Sequence, residues 1–413
     1  MGFDVVVIGG GAAGIATASS LLKREPTLSI AVVEPASTHD YQPGWTLVGA
    51  GIFTLQQTRH AMADVVPHGV RWFRAAVASF SPETNEVDLE DGASLTYKVL
   101  VVAAGLKLDW DAIPGLAQAL GRDGVTSNYR YDLAPYTFDL VTSLKSGRAL
   151  FSQPPMPIKC AGAPQKAMYL SCHYWERSGV LGGIDVTFHN AGAALFGVAA
   201  YVPALMEYVD RYGIELKLGS TLVAVDGPAQ VATFEEKRGD GSIRRIEHGF
   251  DMLHAVPPQV APDVIRSSPL AGESGYVDVD SATLRHTRHF NVFALGDVCS
   301  APNAKTAAAA RKQAPVVAVN VLAALQGREP VADYDGYGSC PLTVERGKIV
   351  LAEFGYGGKL LPSFPKWLLD GKRPSRAAWL LKERLLPPIY WHGMLKGREW
   401  MAAPHMIAQG EPA

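Results

Sequence analysis

Val5-Val6-Val7-Ile8-Gly9-Gly10-Gly11-Ala12-Ala13-Gly14 is the stretch on which the fold turns. Four β-branched residues in a row read as a strand buried on both faces, as in a parallel sheet. The strand runs into G-x-G-x-x-G, formed by Gly9, Gly11 and Gly14 with Ala13 among them, and then into a helical pattern from Ile15 to Leu22. Glycine at these positions lets the backbone approach a pyrophosphate at a helix N-terminus. A second strand, Ser29 to Val33, ends in Glu34, twenty residues after Gly14. An acid placed there accepts hydrogen bonds from a ribose hydroxyl. A glycine-rich turn alone would not need the acid, so the set specifies a dinucleotide site.

Two later strand ends choose FAD over NAD as that dinucleotide. Val99-Leu100-Val101-Val102 ends in Ala103-Ala104-Gly105, and Val292-Phe293-Ala294-Leu295 ends in Gly296-Asp297. In flavoproteins with two dinucleotide domains, the first packs Ala104 and Gly105 near the FAD pyrophosphate. The second uses Gly296 and Asp297 to hold the ribityl chain. The FAD domain is therefore split, residues 1–108 with 280–335. Tyr41-Gln42-Pro43-Gly44-Trp45 follows the second strand, and Pro43 and Trp45 suit a flat apolar wall beside the isoalloxazine. Lys305 precedes a helical pattern from Ala307 to Leu325. The helix N-terminus and Lys305 are expected to stabilise negative charge on the reduced ring.

The inserted unit, residues 109–279, repeats the βαβ pattern without its fingerprint. Ala149-Leu150-Phe151 leads to Pro154-Pro155-Met156-Pro157-Ile158-Lys159-Cys160, then to a helical pattern from Gln165 to Ser178. Prolines have no N–H to offer a pyrophosphate. The expectation is that electrons enter through a thiol at Cys160, and that the preceding lysine, Lys159, favours its thiolate. A second candidate, Cys340, lies 180 residues further on, in a stretch read as a loop before the strand Lys348 to Ala352. Cys172 and Cys299 are read as structural, and His254 as a core histidine.

Composition sets limits on what the chain can be. The 413 residues allow two or three domains, the net charge of −2 gives no sign of nucleic acid, and four cysteines are too few for a secreted disulfide scaffold. No spacing suits a metal. No leader and no membrane-spanning apolar run are seen. From Lys359 to Trp400, however, nine Lys/Arg face three acids, and four of the eight tryptophans are there: Trp367, Trp379, Trp391 and Trp400. Ser375 is expected to cap a short helix, Arg376 to Leu386, ended by Pro387-Pro388. Tryptophans beside basic residues suit a membrane interface.

Lys159-Cys160-Ala161-Gly162-Ala163-Pro164-Gln165-Lys166, Tyr337-Gly338-Ser339-Cys340-Pro341-Leu342 and Leu351-Ala352-Glu353-Phe354 together resemble the sulfide:quinone oxidoreductases, in particular the two-cysteine branch that includes the mitochondrial enzyme. The resemblance runs along nearly the whole chain. It implies an α/β fold of two tandem Rossmann-like domains, residues 336–413 forming a C-terminal region with Cys340 and a membrane and quinone segment. It also implies FAD, a redox pair of Cys160 and Cys340, hydrogen sulfide as substrate, and a membrane quinone of ubiquinone or menaquinone type as acceptor. By the same resemblance Cys340 takes the incoming sulfur as a persulfide and Cys160 faces the flavin. Phe354 and Tyr356, with Lys305, are candidates for the quinone site. A sulfane-sulfur acceptor is required and is left open, as is a homo-oligomer. The expected location is peripheral, on the cytoplasmic membrane of a prokaryote. Three rivals remain: a type II NADH:quinone oxidoreductase, a flavocytochrome-type sulfide dehydrogenase, and a flavin redox sensor without turnover.

Overall fold

A computed structural model describes residues 1–407. Gly2–Ile8 lies in the middle of a seven-stranded sheet, parallel to Ile30–Val33 on one side and to Ser94–Val102 on the other. Ser94–Val102 is long enough for two jobs. Its first half pairs antiparallel with Glu86–Leu89, and its second half pairs parallel with Val292–Ala294. That last pairing brings chain from the far side of the insertion back into the first sheet. The central strands are buried on both faces, as an unbroken valine run requires.

The glycine turn is forced by sterics. Gly9 has φ +100°, and a Cβ there would lie 2.5 Å from the Ala103 carbonyl; a Cβ on Gly14 would lie 1.9 Å from the Gly9 carbonyl. Helix Ala12–Arg24 can sit this close to the sheet only because both are glycine.

Five parallel strands form the second sheet, in the order Val125–Thr126, Met252–His254, Gly147–Gln153, Ile184–Asn190, Glu215–Leu218. Between Gly147–Gln153 and Ile184–Asn190 the chain crosses over through helix Ala163–Arg177. A separate three-stranded antiparallel sheet, Ser220–Asp226, Val231–Lys237 and Ile243–Gly249, carries a polar hairpin whose tip includes Gly239.

Two readings from sequence are corrected. Cys340 is not in a loop: it lies within strand Gly338–Glu345, paired opposite Ala352 of strand Lys348–Phe354. Gly338, Ser339 and Pro341 are poor strand formers, and tertiary pairing overrides them. The helical segment of the tail also does not stop at the proline pair. Ser375 does cap it, accepting from the Ala378 N–H at 3.1 Å. Beyond Leu380 the coil continues as wide π turns, Leu381–Leu385 and Ile389–Gly393, with Leu386–Pro388 between them. Prolines lack the donor a regular helix needs there, and π turns often mark functional positions. The tail then runs over helix Ala12–Arg24, where Glu399 pairs with Arg24 and accepts from Ser20.

Candidate active site

Hairpin and crossover helix bring the two cysteines together across 180 residues. Cys160 and Cys340 carry free thiols whose sulfurs are 3.8 Å apart. A disulfide needs about 2.05 Å, so a modest side-chain movement closes the bond. Cys160 is held in the left-handed region at φ +52°, which costs a non-glycine residue strain and is typical of functional turns. Two backbone bonds fix it: its N–H donates to the Lys305 carbonyl at 2.8 Å, and its carbonyl accepts from the Ala163 N–H at 2.7 Å. Gly162 completes the fit, since a Cβ there would lie 2.5 Å from the Cys340 sulfur.

The charge on this pair is polarised. The Cys340 S–H donated to Cys160 pulls the Cys160 thiol well down; burial opposes this, and the Lys166 ammonium reinforces it. Cys340 is pushed well up by the same contact and by burial. Lys166 lies 3.1 Å from the Cys160 sulfur and is 2% exposed. Burial works to lower the Lys166 amine, yet the sulfur charge more than offsets it and keeps it protonated. The lysine that serves the thiolate is therefore Lys166, one turn into the helix, and not the sequence neighbour Lys159. Lys159 extends away, donating to Gln42 and lying 5.7 Å from the Trp45 and Tyr129 rings.

Sequence reasoning missed a second lysine altogether. Lys382, on the first π turn of the tail, is 2% exposed and donates to the Pro43 carbonyl at 2.8 Å. Burial first, then the charge of Lys166, lowers it to about 7. Nothing in the tail sequence marks it out from the other basic residues. Tyr129 was missed too; its hydroxyl donates to the Lys159 carbonyl at 2.9 Å beneath the cysteine turn.

Several of the residues expected to hold FAD lie together around the glycine turn, where Gly9 abuts Ala104, Gly10 abuts Glu34 and Gly296 abuts Ala13. Around the glycine turn, a Cβ on Gly11 would meet nothing within 4 Å, and helix Ala12–Arg24 has no side-chain cap on its first N–H groups. That is an open anion seat. Glu34 stands over it, accepting from the Gly10 N–H at 2.8 Å. Gly105 has φ +70° with open space beside it, and Gly296 at φ +75° lies against Ala13. Buried polar atoms without partners include Trp45 Nε1 in the stretch expected at the ring, Thr46 Oγ1 next to it, and both amide atoms of Asn128, which lies against Gly49 a few residues further on. Unpaired buried groups of this kind fit a polar ligand. The donors suit FAD, and Asp297, with its carboxyl pushed up by burial, is at the ribityl strand end. The Lys305 ammonium is turned onto the carbonyls of Asp297 and Cys299 at 2.8 and 3.0 Å, so it braces that loop.

Phe354 and Tyr356 are not brought together. Phe354 packs edge-on to Phe196, while the Tyr356 hydroxyl donates to the Ser281 carbonyl at 2.6 Å. Cys172 is buried with its thiol pushed up by burial, and His254 is buried, lowered to about 4 by burial, with Nε2 accepting from the Asn128 N–H at 2.9 Å. Both lie in the interior, apart from the paired sulfurs. Among the described residues no group of three or more side chains could hold a metal ion. Trp379 and Trp391, expected at a membrane interface, are interior at 7% exposure each; Trp391 stacks on His60 with centroids 3.9 Å apart. Apolar contacts within the protein claim both rings.

The profile of the pyridine nucleotide-disulphide oxidoreductase family matches residues 3–314. A mitochondrial sulfide:quinone oxidoreductase of Dictyostelium discoideum is 41% identical over 95% of this chain and 86% of its own. The mitochondrial sulfide:quinone oxidoreductase of Mus musculus is 37% identical over 96% of this chain and 87% of its own. The solved sulfide:quinone oxidoreductase of Aquifex aeolicus superposes with TM-score 0.80 over 99% of this chain and 98% of that one, at 18% identity, and shares its fold. The expected prokaryotic cytoplasmic membrane is overturned by these two relatives, both described as mitochondrial. Location is set by targeting machinery, and none of the residues that fix the fold or the site records it.

Proposed function

The chain belongs to the sulfide:quinone oxidoreductases, FAD enzymes within the pyridine nucleotide-disulphide oxidoreductases, and we propose that it oxidises hydrogen sulfide at Cys160 and Cys340 and passes the electron pair to a quinone. The observation that carries this reading is the polarised thiol pair: two sulfurs 3.8 Å apart, with an ammonium 3.1 Å from one of them. It stands where a nicotinamide-binding domain would have its glycine cradle.

The cycle starts from the oxidised pair, a disulfide or a bridge with extra sulfur. Hydrosulfide attacks the Cys340 sulfur of the disulfide. The S–S bond breaks, Cys340 becomes a persulfide, and Cys160 leaves as a thiolate. A low thiol pKa makes Cys160 the better leaving group, and Lys166 holds the charge it gains. A sulfane-sulfur acceptor then removes the outer sulfur and leaves the Cys340 thiolate. Re-forming the disulfide releases two electrons. Bound FAD supplies the two-electron relay from the thiols to the quinone. Gly9, Gly11, Ala13, Gly14, Glu34, Ala104, Gly105, Gly296 and Asp297 would hold it, with Pro43 and Trp45 at the ring. Residues 1–108 with 280–335, 109–279 and 336–413 would serve as FAD, thiol and tail units, 408–413 lying outside the described residues.

The quinone lies in a membrane, so the tail is proposed to seat the enzyme there. With Trp379 and Trp391 interior, the apolar contact falls to Trp367, Leu368, Leu380 and Leu385, all more than half exposed. Exposed Lys366, Lys372, Arg373, Arg376 and Arg384 are interspersed with them along the chain. Among the described residues no helix is long and apolar enough to cross a membrane. Phe354 and Tyr356 remain the candidates for quinone contact.

Cys160→Ser and Cys340→Ser test the thiol chemistry. Each should keep bound FAD and lose its bleaching by sulfide. Bleaching at the wild-type rate in either variant sinks the proposal.

A further inference from the structure

The tail reaches back to the dinucleotide turn itself. Strand Thr38–Asp40 holds His39, which is 3% exposed, and the second π turn of the tail holds Tyr390, at 4%. His39 Nδ1 lies 2.9 Å from the Gly10 carbonyl, and its Nε2 lies 2.6 Å from the Tyr390 hydroxyl. A carbonyl only accepts, so Nδ1 carries the hydrogen and Nε2 accepts from Tyr390. This ties one tautomer and one ring orientation to a residue 380 positions downstream of Gly10. The Tyr41 ring, 4.8 Å from Tyr390, backs the contact from the side.

Gly10 is held from both ends. Its N–H goes to Glu34 and its carbonyl to His39. A trans peptide is planar, with N–H antiparallel to C=O. Fixing the Gly10 carbonyl on His39 therefore aims the Gly11 N–H the opposite way, away from His39. Gly11 is the residue with open space beside it, at the N-terminus of helix Ala12–Arg24. The tail also grips the far end of that helix. Ser19 donates to the Leu395 carbonyl at 2.7 Å and Lys23 to the Gly397 carbonyl at 3.2 Å. A helix and its N-terminal turn are thus clamped at both ends by one segment.

We infer that Tyr390, acting through His39, is a positioning residue for the FAD-binding turn, so that FAD retention depends on the docked tail. This rests on the assignment of FAD to the glycine turn. Tyr390→Phe keeps the ring and its packing and deletes the hydroxyl. His39 Nε2 is then buried without a donor, and the Gly10 peptide loses its fixed orientation.

The test is the rate of FAD release from the holoenzyme, followed by recovery of free-flavin fluorescence. Y390F should release FAD about three- to tenfold faster, the range set by one buried hydrogen bond. The second arm separates positioning from packing. In a His39→Ala background, or His39→Asn should that variant fold better, adding Y390F should change release less than about twofold, because the link is already cut. Release from Y390F at the wild-type rate overturns the inference. So does an equal acceleration by Y390F with and without His39, which would mean that the ring acts by packing alone. A wild-type protein purified and reconstituted without FAD would instead overturn the cofactor assignment.

Discussion

Lys166 shows how a single residue sets the chemistry. Its ammonium, buried at 2% exposure, touches the Cys160 sulfur at 3.1 Å. Replacing it with Met removes the nearest positive charge and leaves the thiolate to be stabilised by the Cys340 thiol and the more weakly acting charge of Lys382. The Cys160 pKa must rise, so the thiolate that gives electrons to FAD is lost at higher pH than in wild type. In K166M the acid limb of the pH profile for sulfide-driven flavin reduction should move upward, the rate falling about tenfold per pH unit below that limb. An unmoved profile would show that Lys166 is only packing. The sequence marked both cysteines because proline, glycine and cysteine cluster in turns. It pointed to Lys159 as the partner because adjacency in the chain is all that a sequence offers. Cys160 sits in the left-handed region, which throws its neighbours' side chains in different directions, and the helix that follows brings Lys166 back over the sulfur.

At the scale of elements, the hairpin and the cysteine helix meet only because residue 162 has no side chain. A Cβ on Gly162 would lie 2.3 Å from Leu342 and 2.5 Å from the Cys340 sulfur, and its backbone conformation is open to alanine. Gly162→Ala should therefore cost about 1–3 kcal/mol by overpacking. It should also slow oxidative closure of the pair, read as free thiols remaining after mild oxidation. Closure at the wild-type rate would mean that the hairpin yields easily. The tail makes a second prediction. Trp367, Leu368, Leu380 and Leu385 changed together to Ser should release the protein from anionic liposomes, while turnover with a short-chain soluble quinone persists. Unchanged liposome binding would remove the tail as the membrane contact. Parallel strands and the glycine turn were legible, since their signals are local runs and fixed spacings. The strand of Cys340 and the π turns were not, because pairing partners and a proline-spanning coil are settled by tertiary contacts. Tryptophan content likewise suggested an interface, but Trp379 and Trp391 found interior partners that no spacing reveals.

For the whole molecule, the decisive feature is asymmetry between two sheets of similar design. The first has glycine where its opening helix begins. At the same place the second has Pro154, Pro155 and Pro157 and then a thiol. On the proposed reading, one unit holds a dinucleotide and the other feeds it electrons from sulfur. The most direct measurement is anaerobic stopped-flow absorbance of the FAD-loaded wild-type protein. Sulfide should bleach the flavin band within the turnover time, decyl-ubiquinone should then restore it, and NADH should do neither at matched concentration. Rapid bleaching by NADH with no response to sulfide would contradict the assignment of Cys160 and Cys340 as the electron entry.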